Sequence, residues 1–272
     1  MRRIIIFFYW LFKRRHNVRF SELVHFSLKP QVRKIADRYL KGIASSDSFH
    51  EVKFKTTPHT LYWPKECSID GIYQVTSETF DEQDWHYYQK KHTEVQQDEI
   101  LLDIGAAEGL FALSVADRCK KILLVEPNDY FVKALNRTFA SYQDKVLIFN
   151  VAVGSENGEI IFNPDSLIGR ISVDNKQGIK KRLTKIDDLI PDTPITYLKA
   201  DLEGFETEML KGAEKTIKRN KPKIAITAYH KENDTNQIIS LIKKFVPEYQ
   251  YYTKGISQTA GKPVMIHFWI PA

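Results

Sequence analysis

Residues 99–109, Glu-Ile-Leu-Leu-Asp-Ile-Gly-Ala-Ala-Glu-Gly, decide the fold. An apolar run from Ile100 to Ile104 ends in a loop of small residues, and Leu110-Phe111-Ala112-Leu113 follows with a helical pattern. That order predicts a buried strand, a tight turn and a helix N-terminus whose free backbone N–H groups can face an anionic ligand. Gly105 and Gly109 are expected to permit the turn and a close approach of ligand to backbone. A second apolar run, Lys121–Val125, ends at Glu126, placed to accept both hydroxyls of a ribose.

The loop does not fit a dinucleotide. A pyrophosphate site needs G-x-G-x-x-G, whose second glycine lets the backbone approach the phosphates. Here Ala107 holds that position, and Asp103 would repel a pyrophosphate. An acid suits an amino group and a sulfonium charge, which points to S-adenosyl-L-methionine. The candidate cofactor residues are Asp103, Gly105, Ala106, Ala107, Glu108, Gly109 and Glu126. A nicotinamide-dependent oxidoreductase and a catalytically silent nucleoside-binding module are the other readings.

With 272 residues the chain can hold one large α/β domain and a small extension. Cys67 and Cys119 are too few for a disulfide framework or a cysteine-based zinc site, and a reducing compartment is expected. Cys119 is expected to end the first helix of the domain as an inert thiol. The net charge of +6 is unevenly spread: residues 1–43 hold eleven Lys or Arg against Glu22 and Asp37. The remainder is mildly acidic, which argues against a general nucleic-acid-binding surface. Met1-Arg2-Arg3, an apolar run from Ile4 to Phe12 and Lys13-Arg14-Arg15 form a basic arm, residues 1–16. It is too short to cross a bilayer and lacks a signal-peptide cleavage site. An interfacial contact of residues 1–15 with anionic lipid is expected, with docking on the chain's own domain or a second subunit, or partial disorder, as the alternatives. The location expected is cytoplasmic, or peripheral at the inner face of the membrane.

Residues 17–97 form the expected extension. The apolar spacing predicts helix over 18–43 broken at Pro30, then a linker at Gly42 and Ser45–Ser48. Residues 49–80 look like a small sheet with turns at Thr57-Pro58 and Asp70-Gly71, and 81–92 like a short helix. From 98 to 272 strands and helices alternate. Strands are expected at 99–104, 121–125, 145–151, 195–200, 223–229, 248–253 and 264–270. Helices are expected at 109–118, 128–141, 204–219 and 233–245. This predicts a Rossmann-like, mostly parallel seven-stranded sheet, with Met265–Ile270 inserted antiparallel as the last strand. Residues 154–190, with a short strand at Glu159–Phe162 and a loop through Gly169-Arg170 and Gly178, are the candidate acceptor wall.

A second constellation lies in Leu198-Lys199-Ala200-Asp201-Leu202-Glu203-Gly204. Alternation puts Lys199, Asp201 and Glu203 on one side where a strand leaves the sheet. Either acid can orient an acceptor hydroxyl or meet the methionine end of the cofactor, and a metal ion there is neither required nor excluded. His230 ends the next strand and, as a neutral imidazole, is a candidate general base. Helix capping and a structural salt bridge are the bland alternative.

With these residues in place, the chain resembles the FkbM-type methyltransferase family over roughly 99–230. Asp103–Phe111 matches "D-x-G-A-x-x-G-x-[YF]", Glu126-Pro127-Asn128 matches "E-P-N", and Asn150-Val151-Ala152-Val153 matches "N-x-A-[VL]". Ile186–Leu189 is similar to "L-D-D-L", and Lys199–Glu206 to "K-x-D-[VI]-E-G-x-E". The resemblance implies methyl transfer from S-adenosyl-L-methionine to a hydroxyl of a sugar or natural product; if the basic arm touches membrane, a polysaccharide or glycolipid precursor is the expected acceptor. It also implies that Gly105–Gly109 holds the methionine end, Glu126 with Pro127 the ribose, and Asn150, Val151 and Ala152 the adenine. Many members carry a glutamate near the end of the fifth strand, where this chain has Tyr229-His230.

Overall fold

The computed structural model describes residues 2–12, 14–163, 170–171, 178–230, 235–258 and 261–271. The chain opens with helices α1 (Arg2–Leu11), α2 (Phe20–Leu28) and α3 (Val32–Ala36). Proline disfavours helical backbone in the residue before it, and Lys29 before Pro30 is extended (φ −58°, ψ 144°), ending α2. Three strands follow, β1 (Leu40–Ser45), β2 (Phe49–Phe54) and β3 (Thr60–Pro64), in an antiparallel sheet of that order. Residues 40–43 are therefore strand rather than helix, and Ser45–Ser48 is a hairpin rather than a linker, closed by Ser46 N–H donating to Phe49 O.

Helix α4 (Ile69–Phe80) occupies a stretch expected to be sheet. Ser68 caps it by accepting from Asp70 N–H at 3.2 Å, so Asp70-Gly71 lies in a first helical turn. The expected helix over 81–92 does not form. There the carboxylates of Asp81 and Asp84 accept from the N–H groups of Gln83 and His86, local bonds that compete with a helix.

The main domain alternates β4 (Glu99–Ile104), α5 (Leu110–Val115), β5 (Cys119–Val125), α6 (Asp129–Thr138) and β6 (Val146–Phe149). Cys119 starts β5 instead of ending a helix. A four-stranded sheet then interrupts the alternation: β7 (Ala152–Val153), β8 (Gly158–Asn163), β9 (Arg170–Ile171) and β10 (Ile179–Thr184), ordered β7-β10-β8-β9. The expected loop residue Gly169 lies outside the described residues. The alternation resumes with α7 (Ile186–Leu189), β11 (Tyr197–Ala200), α8 (Glu206–Lys211), α9 (Glu214–Asn220), β12 (Lys223–Thr227), α10 (Thr235–Phe245), β13 (Gln250–Lys254) and β14 (Met265–Trp269). The expected single helix over 204–219 is split at Gly212, where a Cβ would stand 1.9 Å from the Gly154 carbonyl oxygen.

The large sheet runs β13-β14-β12-β11-β4-β5-β6, and β14 is antiparallel to both neighbours. All other pairings are parallel. A parallel sheet covered on both faces needs apolar residues on both. Leu101, Ile122 and Leu124 accordingly face one core cluster, and Leu102, Ile104, Leu123 and Val125 the other. Among the described residues no helix is long and apolar enough to cross a membrane.

Candidate active site

The C-terminal ends of β4, β5 and β11 open into a cavity of about 530 Å³, the place where open α/β sheets bind ligands. Gly105, Ala106, Ala107, Glu108, Glu126 and Pro127 line one side, with Trp63, Phe131 and Phe162 adding aromatic wall. The loop after β4 is tied to β5: Gly105 and Ala106 N–H groups both donate to Val125 O, at 2.9 and 3.2 Å. Ala107 sits at φ +46°, which turns its N–H toward Glu126 Oε2 at 2.9 Å. The other oxygen, Oε1, accepts from Asn128 N–H at 2.8 Å. Burial pushes the Glu126 carboxyl up to about 7, against the pull of these two bonds. A buried carboxylate that borders a cavity and is short of donors fits a vicinal diol, whose two O–H groups would supply them.

Asp103 takes a different part from the one expected. It is fully buried and does not line the cavity. Its Oδ1 lies 3.0 Å from Lys199 Nζ, which also donates to Gly105 O at 2.7 Å. Burial opposes the charge on Lys199, but Asp103 and Asp201 outweigh it and hold the ammonium protonated. Asp103 therefore positions the loop through Lys199 rather than meeting a sulfonium. The two glycines are also set by protein packing: a Cβ on Gly105 (φ +69°) would lie 1.9 Å from Asp201 O, and one on Gly109 (φ +82°) 2.5 Å from Leu135. Gly109 marks the start of α5 and is not part of the cavity wall.

The rest of the lining is acidic and aromatic, with Glu78, His86, Tyr88, Asp201, Glu203 and Tyr229. Glu203 (φ +52°) and Gly204 (φ +110°) turn the chain sharply between β11 and α8. Glu206, wholly buried, holds that turn by accepting from Leu202 and Gly204 N–H groups at 3.1 and 2.9 Å. Asp201 accepts from Tyr88 Oη at 3.0 Å and lies 3.1 Å from Thr227 Oγ1. Burial would raise its pKa, but His86, His230 and Lys199 around it bring it below the ordinary value.

His230 lies behind this wall, not in it. Its Nδ1 is 2.8 Å from Glu206 Oε1, and its Nε2 is 3.4 Å from Glu203 and 3.8 Å from Asp201. Burial disfavours its charge, yet the bonds to Glu203 and Glu206 and the charge of Asp201 lift its pKa to about 10. A neutral imidazole base is the wrong picture, because an imidazolium has no lone pair to accept a proton. Asp201, Glu206 and His230 bring ligand atoms within 4.8 Å of one another; in this geometry the His230 cation already meets the charge of the acids.

The two expected constellations thus meet at one cavity, with Lys199, Asp201 and Glu203 on its wall. Leu202 lines it as well, because the strand ends at Ala200 and the turn rather than alternation sets these positions. Asn150, Val151 and Ala152 do not line it; Asn150 instead donates to Asp129 at 2.6 Å and accepts from Lys181 at 3.1 Å. Phe162 from the inserted sheet does line it. His86, Glu78 and Tyr88 were missed, since they come from α4 and the turn-rich segment after it. The only signal in the sequence was the polar-aromatic run Trp85-His86-Tyr87-Tyr88.

The sheet order, the inserted antiparallel strand and the cavity define the class I S-adenosylmethionine methyltransferase fold. The "Methyltransferase FkbM domain" model matches residues 103–251, more than half of the chain, and the chain belongs to that family. The solved FkbM methyltransferase from Methylobacillus flagellatus KT shares the fold at 20% identity and TM-score 0.51, over 75% of this chain and 56% of that one. This chain therefore spans little more than half of its length. A precorrin-6y C5,15-methyltransferase from Geobacter metallireducens aligns at 11% identity and TM-score 0.40, over 65% of this chain and 81% of that one. An rRNA methylase from Streptococcus thermophilus aligns at 12% identity and TM-score 0.42, covering 65% and 90%. No functionally curated protein matches the sequence.

Proposed function

We propose that this chain is an O-methyltransferase that moves a methyl group from S-adenosyl-L-methionine to a hydroxyl of a saccharide, in a polysaccharide, glycolipid or natural-product precursor. The observation that carries the reading is the make-up of one cavity: a buried carboxylate fit for a ribose and a carboxylate–imidazole pair both line it. When bound, S-adenosyl-L-methionine supplies an electrophilic methyl group on a sulfonium. Glu126 and the Gly105–Ala107 backbone hold the nucleoside side, and the aromatic rings of Trp63, Phe131 and Phe162 exclude water.

The acceptor hydroxyl must lose its proton as its oxygen takes the methyl group. Asp201 faces the cavity ionised and accepts the hydrogen bond of that hydroxyl, which fixes its direction. The His230 and Lys199 cations beside it make it a poor final seat for the proton, and His86 acts from its neutral form. His86 Nε2, 3.5 Å from Asp201 Oδ2, is the seat, and Glu78 Oε2, 3.5 Å from Nδ1, steadies the imidazolium that forms. Neither ring nitrogen of His86 makes a hydrogen bond among the described residues. The acid-rich wall of Glu78, Asp201 and Glu203 suits a polyhydroxyl acceptor, because carboxylates accept from sugar hydroxyls.

The test is transfer of a labelled methyl group from S-adenosyl-L-methionine to a panel of mono- and oligosaccharides and lipid-linked glycans. Label in a saccharide, lost with Asp201→Asn, supports the reading. Tight adenosylhomocysteine binding with no transfer to any hydroxyl acceptor would leave only a binding module.

A further inference from the structure

Helix α1 has two apolar faces, and the protein uses only one. Ile6 is buried in a cluster with Val18, Leu23, Trp85 and Ile256. At about 100° per residue, Ile4, Phe8, Leu11 and Phe12 fall on the side opposite Ile6. They are 61%, 52%, 48% and 75% exposed. On α2, Phe20, Val24 and Leu28 repeat every fourth residue and are exposed as well, as is Val32 at the start of α3. Of the fifteen exposed large apolar side chains among the described residues, ten lie between Ile4 and Val32. Chance scatter of surface apolar residues does not concentrate them in this way.

The two helices form one built surface. Arg3 donates from its guanidinium to Ser27 O and Lys29 O at 2.5 and 2.7 Å, tying the start of α1 to the end of α2. Trp10 packs on Phe20 with ring centroids 5.7 Å apart, and the Arg15 guanidinium lies 4.3 Å from the Trp10 ring centre. The same segment carries eleven Lys or Arg against two acids within residues 1–43, while the rest of the chain is mildly acidic. A symmetric contact with a second copy would press two strongly basic patches together. An anionic surface meets them with opposite charge. Helix α1, ten residues long, reaches about 15 Å against the roughly 30 Å of a hydrocarbon core, so it lies along a bilayer rather than across it.

We propose that the exposed face of α1 and α2 docks on an anionic lipid bilayer, its aromatic and aliphatic side chains entering the headgroup boundary and its basic residues meeting lipid phosphate. The docked helices bear on the cavity. Phe26 stacks on Trp85 at 4.3 Å and 9°, Lys29 pairs with Asp84 at 3.3 Å, and Asp84 accepts from His86 N–H at 3.0 Å. The segment that carries His86 is therefore the one on which the membrane-facing helices rest.

The test is co-sedimentation of the full chain with vesicles of phosphatidylglycerol and phosphatidylcholine, against vesicles of phosphatidylcholine alone. Binding is expected only where phosphatidylglycerol is present, and it weakens as salt shortens the screening length from about 10 Å at 0.1 M to 3 Å at 1 M. The double variant Phe8→Glu, Phe12→Glu is expected to bind about tenfold or more weakly. Its circular dichroism and unfolding midpoint should match the parent, because both side chains face solvent. Absence of binding to the mixed vesicles overturns the proposal, as does equal binding by the double variant. A dimer seen by light scattering that the double variant dissolves, without vesicle binding, assigns the face to a second copy and overturns it too.

Discussion

His230 Nδ1 lies 2.8 Å from Glu206 Oε1, joining the segment that follows β12 to the first turn of α8. This pair keeps the Asp201–Glu203 turn in place. Because His230 is raised to about 10 from an ordinary value of 6.5, it binds its proton more tightly in the folded chain than in the unfolded one. Its stabilisation is whole below about pH 6.5 and is lost as pH climbs through about 10. Urea unfolding between pH 6 and 10.5 should show this decline, and His230→Ala should flatten it while lowering stability by about 3 kcal/mol at neutral pH. Nuclear magnetic resonance of the imidazole at pH 8 should report the cation; a neutral ring there would refute the assignment.

Glu126 makes the opposite kind of prediction. Its carboxyl is held near 7 by burial, and a diol that donates to it favours the ionised form. Adenosylhomocysteine should bind more tightly as pH rises from 6 to 8, and binding near neutral pH should release a proton. Calorimetry in buffers of different ionisation enthalpy measures that release. Glu126→Ala should weaken binding by about tenfold to a hundredfold, the worth of hydrogen bonds to a charged group. Unchanged affinity would mean that the nucleoside lies elsewhere.

The elements with one clear period were the ones the sequence disclosed. The run Ile100–Ile104 is apolar but for Asp103 because helices cover both faces, and its loop and Glu126 follow within one βαβ unit. The inserted β14 was legible for the same reason: Met265–Ile270 is apolar and sits one loop after its partner strand. The extension was less legible because competing local bonds decide it. Ser68 turns an apparent hairpin at Asp70-Gly71 into a helix start, and the Asp81 and Asp84 side chains dissolve an expected helix. Asp103 was misjudged for a further reason. Its partner Lys199 lies on another strand, and pairing across β4 and β11 depends on register that spacing within one strand does not reveal.

Gly105 tests whether that register matters. With φ +69° and the Asp201 carbonyl 1.9 Å from any added Cβ, even alanine forces β4 and β11 apart at the cavity. Gly105→Ala should cost about 3 kcal/mol or more, the range of backbone strain and overpacking combined. Gly42→Ala is the control, since a Cβ there meets nothing within 4 Å; its unfolding midpoint should stay near that of the parent. Equal midpoints for the two variants would show that the loop adapts and that its close approach to Asp201 is not required.

His86 is where the chemistry can be separated from the architecture. Its ring stands between two carboxylates, 3.5 Å from Glu78 and 3.5 Å from Asp201, and lines the same cavity as the Gly105–Ala107 loop. Once an acceptor is identified, His86→Ala should lower kcat by about a hundredfold to ten-thousandfold, the usual span for a lost general base. Adenosylhomocysteine affinity should stay within about twofold, since the nucleoside side is untouched. His86→Gln keeps the shape but accepts no proton at neutral pH, so it should not restore the rate, and a rate rising with pH should report direct deprotonation by hydroxide. Asp201→Asn should raise KM as well as lower kcat, because it removes the hydrogen bond that orients the acceptor. If His86→Ala retained the full rate, proton removal would pass to solvent and the role assigned to the imidazole would fall, while the methyl-transfer reading would stand on the labelled product alone.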